Sequence, residues 1–121
     1  MDLTKKHCIP CEGGTRPFSR KKAEEYLKMT RDWKLLASQV FDPEAQTRRG
    51  ETLQIQRKFV FKVFKEALAF LNNIGRLAES ENHHPDIYIH NYKKVDITLS
   101  THLIGGLSVI DFVMAAKINQ L

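Results

Sequence analysis

Between residues 61 and 63 the spacing of the apolar side chains changes from two residues to three or four, and that switch constrains the fold more than any other feature. Upstream, Leu53, Ile55, Arg57, Phe59 and Phe61 share one parity and Gln54, Gln56 and Lys58 the other, the alternation of a half-buried strand. Downstream, Val63, Phe64, Ala67, Leu68, Leu71, Ile74 and Ala78 recur at helical spacing, predicting an amphipathic helix to about Ser80. It is the longest helix expected in the chain and the one best placed to cover a sheet.

The flanking segments supply the rest of that sheet. Ser19 suits the N-cap of a helix over residues 20–29, with Phe18 before it as a hydrophobic staple and Ala23, Tyr26 and Leu27 on its apolar side. Trp33-Lys34-Leu35-Leu36 reads as a short first strand, and residues 41–52, with Asp42-Pro43 and Arg48-Arg49-Gly50 but no apolar period, as a hairpin loop. After the long helix, Ile87 and Ile89 alternate with Tyr88 and His90, and Asn91-Tyr92-Lys93 turns the chain. In the next strand Val95, Ile97 and Leu99 face one way and Asp96, Thr98, Ser100 and His102 the other, which places His102 at the polar side of a strand end. Ser108-Val109-Ile110-Asp111 has the form of a capping box for a last helix through about Asn119. The order α-β-β-α-β-β-α predicts an α+β fold, a four-stranded antiparallel sheet with helices packed on one face. The other sheet face would then need covering, as by a partner subunit, so a homodimer or homotetramer is expected.

A chain of 121 residues has room for one core, and residues 18–121 are expected to form a single domain behind a flexible tail, 1–17. With 42% hydrophobic and 27% charged residues, the composition is that of an ordinary globular domain. No apolar run approaches the roughly 18 residues of a membrane span, and the N-terminus lacks the apolar stretch of a signal peptide. A cytoplasmic protein without membrane contact is expected. The net charge of +5 is spread along the chain, so it suits solvated faces or a small anionic or electron-rich substrate better than a nucleic-acid partner. The tail carries the only cysteines, Cys8 and Cys11, in a C-x-x-C beside His7. Three ligands with no second pair are too few for an ordinary zinc site, and Gly13-Gly14 is not the helix start of a redox motif.

Chemistry concentrates between Glu79 and His102, where four of the five histidines lie: His83, His84, His90 and His102. Imidazole carries protons near neutral pH and also binds metals. Adjacent His83 and His84 lack the H-x-H or H-x-x-x-H spacing that aims two rings at one ion, so metal-free acid/base work is favoured and no metal is expected. Both follow a helix C-terminus, whose negative end suits a proton-bearing ring, and Pro85 stiffens the backbone behind them. Trp33 is open to two roles, stacking on a flat heterocycle or packing in the core. No phosphate loop, nucleophile elbow or dinucleotide fingerprint is present.

Glu79, His83-His84-Pro85, Tyr92, His102 and Asp111 together resemble the signature of the pterin-4a-carbinolamine dehydratase family. The resemblance extends to Trp33 after an Asp, to Phe61-Lys62-Val63-Phe64 and to the strand from Lys94 to His102, covering residues 18–120. It implies dehydration of 4a-hydroxytetrahydropterin, the product of aromatic amino acid hydroxylases, to quinonoid dihydropterin, with pterin as substrate and no cofactor. It also implies that His83, His84 and His102 are catalytic, with His84 the principal acid/base, and that Glu79, Pro85, Trp33 and Asp111 bind or orient the substrate. For Asp111 a purely structural capping role stays equally open. The same resemblance allows a functional link to a hydroxylase and, as the alternative function, a non-catalytic dimerisation cofactor of a transcription factor. Ile104 and Ile110 stand where many animal members carry a cysteine and an arginine, so those two positions offer no polar contact to substrate.

Overall fold

The computed structural model describes residues 2–7, 16–42 and 47–121, with the main chain alone for 38–42 and 47–51. In chain order it contains α1 (Arg20–Leu27), β1 (Lys34–Asp42), β2 (Thr47–Val60), α2 (Phe64–Glu81), β3 (Asp86–His90), β4 (Lys94–Leu99) and α3 (Val109–Ile118). The four strands form one antiparallel sheet in the order β1-β2-β4-β3. The predicted α+β architecture is the one observed.

Pairing explains why one parity is buried. Ile55 lies opposite Leu99, Arg57 opposite Ile97 and Phe59 opposite Val95, so the apolar sides of β2 and β4 face the same way. Leu53, Ile55, Val95, Ile97 and Leu99 join Ala23 of α1, Ala67, Phe70 and Ile74 of α2, and Phe112, Met114 and Ile118 of α3 in one core. Burial of such side chains contributes about 1.5–3 kcal/mol each. The opposite sheet face carries Lys34, Gln54, Gln56, Lys58, Asp96 and Thr98, all exposed or half-buried. Phe18 packs on Tyr26 at 4.9 Å and Phe112 at 5.9 Å between ring centres, tying α1 to α3. Ser19 accepts from the Lys22 amide at 3.2 Å and caps α1 as expected.

Three expectations need correction. The first hairpin is much longer than Trp33-Lys34-Leu35-Leu36 suggests: the ladder runs from Lys34 opposite Gln56 to Asp42 opposite Thr47, through most of the predicted loop. Alternation reports burial of a face rather than pairing of backbone, so a ladder without an apolar face leaves no such trace. On α2 the buried seam is Ala67, Phe70, Ile74 and Ala78, whereas Phe64 and Leu68 are 47% and 41% exposed. A helix with apolar residues on two sides does not say which side the sheet takes. Finally, part of the expected tail is docked. Asp2 caps a 3-10 turn at Leu3–Lys5, Leu3 is buried in the core cluster, and His7 Nδ1 lies 3.2 Å from Glu81 at the end of α2. Lys117 of α3 pairs with the same carboxylate. Cys8 and Cys11 fall outside the described residues. Among the described residues no helix is long and apolar enough to cross a membrane.

Candidate active site

The site is built where α2 stops. Asn82 adopts a left-handed conformation, φ 52°, and the Asn82 and His83 amides both donate to the Ala78 carbonyl. Such a cap satisfies an orphan helix carbonyl while reversing the chain. Pro85 follows, and β3 begins at Asp86. The reversal separates neighbouring rings: the His83 side chain is 12% exposed and that of His84 is 56% exposed.

His83 is held from behind. Its Nε2 lies 2.7 Å from Oδ1 of Asp111, which is fully buried. The other oxygen of Asp111, Oδ2, accepts from the Ser108 amide at 3.0 Å and from the Thr101 hydroxyl at 2.8 Å. The predicted capping box is therefore present at the start of α3, and the carboxylate's other oxygen contacts His83. A carboxylate accepts, so Nε2 is the donor of this bond, an arrangement that in a neutral imidazole leaves Nδ1 as an acceptor. His84 is held more loosely, with Nε2 3.1 Å from Oε1 of Glu79, an exposed carboxylate one turn back on α2. Exposed pairs of this kind hold their partners weakly.

His102 arrives by a different route from the one its parity suggested. β4 ends at Leu99, and Ser100 and Thr101 are both buried, which breaks the alternation before His102 is reached. Thr101 pairs with Gly106 as an isolated bridge, and the intervening residues form a 3-10 turn, His102–Ile104, closed by Gly105 at φ +68°. That left-handed value suits a residue without a Cβ. Gly106 must also be small, because a Cβ there would lie 2.6 Å from the Pro17 Cβ. His102 thus stands on an exposed turn rather than on a strand face.

These elements enclose a cleft of about 320 Å³ lined by Asn82, His83, His84, Ser100, Thr101, His102, Leu103 and Ile110, at the small end of the range for small-molecule sites. All three predicted imidazoles reach it. Glu79 contacts His84 and Asp111 contacts His83, while Pro85 lies between the two histidines and β3. Trp33 is not among its walls. That indole is buried and donates from Nε1 to Asn119 Oδ1 at 2.9 Å, an oxygen that also receives Arg57, so the core role is the one seen. Sequence reasoning missed Thr101, whose polarity beside His102 was its only signal. The fourth histidine, His90, pairs with Asp96 at 3.2 Å and stacks on Tyr88, away from the cleft.

A groove of about 340 Å³ lies on the polar sheet face, lined by Asp32, Lys34, Leu36, Gln56 and Lys58. It is slightly larger but contains no imidazole, so proton-transfer chemistry favours the histidine cleft. Among the described residues no group of three or more His, Cys, Asp or Glu side chains could hold a metal ion.

Residues 16–121 match the family model described as pterin 4 alpha carbinolamine dehydratase. A provisionally named pterin-4-alpha-carbinolamine dehydratase of Halorhodospira halophila is 39% identical, covering 100% of this chain and 98% of the relative. One of the same description from Alkaliphilus metalliredigens is 42% identical over 98% and 95%. Among solved structures, a transcriptional coactivator/pterin dehydratase from Brucella melitensis superposes with a TM-score of 0.70 at 28% identity, covering 87% of this chain and 97% of that one. With the family model spanning most of the chain and relatives of this identity matching along their whole length, the chain belongs to the pterin-4a-carbinolamine dehydratase family.

Proposed function

We propose that the protein eliminates water from 4a-hydroxytetrahydropterin to give quinonoid dihydropterin, regenerating the precursor of the cofactor used by aromatic amino acid hydroxylases. The observation that carries this reading is the convergence of His83, His84 and His102 on one cleft, with His83 backed by a buried carboxylate. Elimination requires two proton transfers. A protonated imidazole gives its proton to the 4a hydroxyl, the C4a–O bond breaks with departure of water, and a neutral imidazole removes the N5 proton as that electron pair forms the C4a–N5 double bond. His84, exposed and loosely held, is the principal acid/base group. His83, whose proton on Nε2 is shared with Asp111, offers Nδ1 to the hydroxyl or to the N5 proton together with His102. The pterin is substrate, and neither transfer calls for a metal or an organic cofactor.

The exposed Phe64 and Leu68 on the outer side of α2 support a homodimer or homotetramer. The solved relative's name also carries a coactivator role, and the rival reading is a non-catalytic interaction module. A direct assay separates the two. The carbinolamine is generated by a hydroxylase and its decay followed optically; purified protein should accelerate decay well above the spontaneous rate. No acceleration would remove the enzymatic reading and leave the interaction module.

A further inference from the structure

We infer that Thr101 is a positioning residue that sets His83 and His102 relative to one another, an inference that rests on the dehydratase reading of the cleft. Thr101 is buried, and its hydroxyl donates to Asp111 Oδ2 at 2.8 Å while sharing a 2.9 Å hydrogen bond with the Ser108 hydroxyl. Because the Thr101 proton goes to the carboxylate, the Ser108 hydroxyl is the donor of the second bond. Asp111 in turn holds His83 at 2.7 Å. The side chain of Thr101 therefore acts on His83 through one intermediary.

Its main chain acts on His102. The Thr101 amide donates to the Gly106 carbonyl at 2.7 Å, and the Thr101 carbonyl accepts from the amides of Ile104 at 3.2 Å and Gly106 at 3.4 Å. These bonds close the turn whose first residue is His102. One residue thus ties the carboxylate behind one imidazole to the root of the next, in a buried setting where an oriented hydrogen bond is hard to replace. Asp111 lies in α3 and Ser108 caps it, whereas the turn follows β4, so the Thr101 hydroxyl adds an oriented side-chain link between the two. A hydroxyl at this position, rather than a particular volume, is what the geometry requires.

Thr101→Val keeps the branched shape and removes the donor, whereas Thr101→Ser keeps the donor and removes a methyl group. The Val variant should lower kcat about 10-fold, the loss expected from one misaligned supporting hydrogen bond, with KM within about twofold. The Ser variant should stay within about twofold of wild type in both constants. Nitrogen-15 NMR of the imidazoles gives a readout independent of turnover: His83 should show one fixed tautomer, protonated at Nε2, in wild type and Ser, and an averaged pattern in Val. Wild-type kcat and His83 shifts in the Val variant, or equal losses in Val and Ser, would overturn the assignment. Should the Val variant not fold, Thr101→Cys, with a weak donor of similar size, must reproduce the averaged His83 pattern for the inference to stand. Wild-type protein without activity would defeat the dehydratase reading, while the His83 spectra would still decide the role of Thr101.

Discussion

Replacing Asp111 by asparagine tests the site at its most constrained point, because the carboxylate's two oxygens are committed to different tasks. Oδ2 receives the Ser108 amide at 3.0 Å and the Thr101 hydroxyl at 2.8 Å, and Oδ1 receives His83 Nε2 at 2.7 Å. An amide side chain has one acceptor oxygen. If that oxygen faces Ser108, the new NH2 group meets Nε2–H of His83, and the two donors can coexist only when the imidazole shifts its proton to Nδ1. In the opposite orientation the NH2 group meets a backbone amide, which has no alternative tautomer and cannot rotate away. The first arrangement therefore wins, and it turns Nδ1 of His83 from an acceptor into a donor. One strained or unmade bond in this buried setting costs about 1–3 kcal/mol, which for a domain of this length corresponds to roughly 5–10 °C in Tm. Turnover should fall about 10²-fold, toward the lower end of general acid/base losses because His84 is untouched. Thermal unfolding by circular dichroism and the optical carbinolamine assay measure the two effects, and nitrogen-15 shifts of His83 report the tautomer. A variant with wild-type turnover and an unchanged His83 tautomer would refute the argument.

His84→Ala should reduce turnover about 10²–10⁴-fold with little change in Tm, since the exposed pair with Glu79 contributes little to stability; near wild-type turnover would take the principal role from His84. Trp33→Phe should lower stability by about 1 kcal/mol through loss of the bond to Asn119 while leaving kcat unchanged, and a selective rise in KM would instead put the indole against substrate. Chelation should leave the carbinolamine rate unchanged, and loss of activity restored by added zinc would revive a metal mechanism.

How far the fold could be read in advance followed from what each pattern reports. The change of period near residue 62 identified β2 and α2 correctly, because Leu53, Ile55, Ala67 and Ile74 are all buried in the core. The same logic failed at residues 47–52, where strand pairing exists without an apolar alternation to announce it. It failed again at His102. Extrapolating the parity of Val95, Ile97 and Leu99 assumes a continuous strand, and Ser100 and Thr101, both buried, end it. His102 lines one cleft with His83 and His84 nonetheless, through a turn held by Thr101 and Gly106.

The adjacent histidines show what a linear motif can and cannot specify. The spacing of His83 and His84 says nothing of their surroundings, yet next to the left-handed Asn82 one ring lies on a buried carboxylate and its neighbour at the surface. The difference is set by contacts with Asp111, 28 positions further along the chain, and no local pattern encodes them. It also bears on mechanism. A ring fixed by a buried acceptor presents one nitrogen at one angle, which suits binding and orienting the substrate hydroxyl or receiving a proton at a defined position. A ring at the surface can exchange its proton with water between turnovers, as a group that cycles between acid and base must. Pairing the two in sequence places a fixed imidazole and an exchangeable one along the same cleft, and the turn carrying His102 adds a third to its lining.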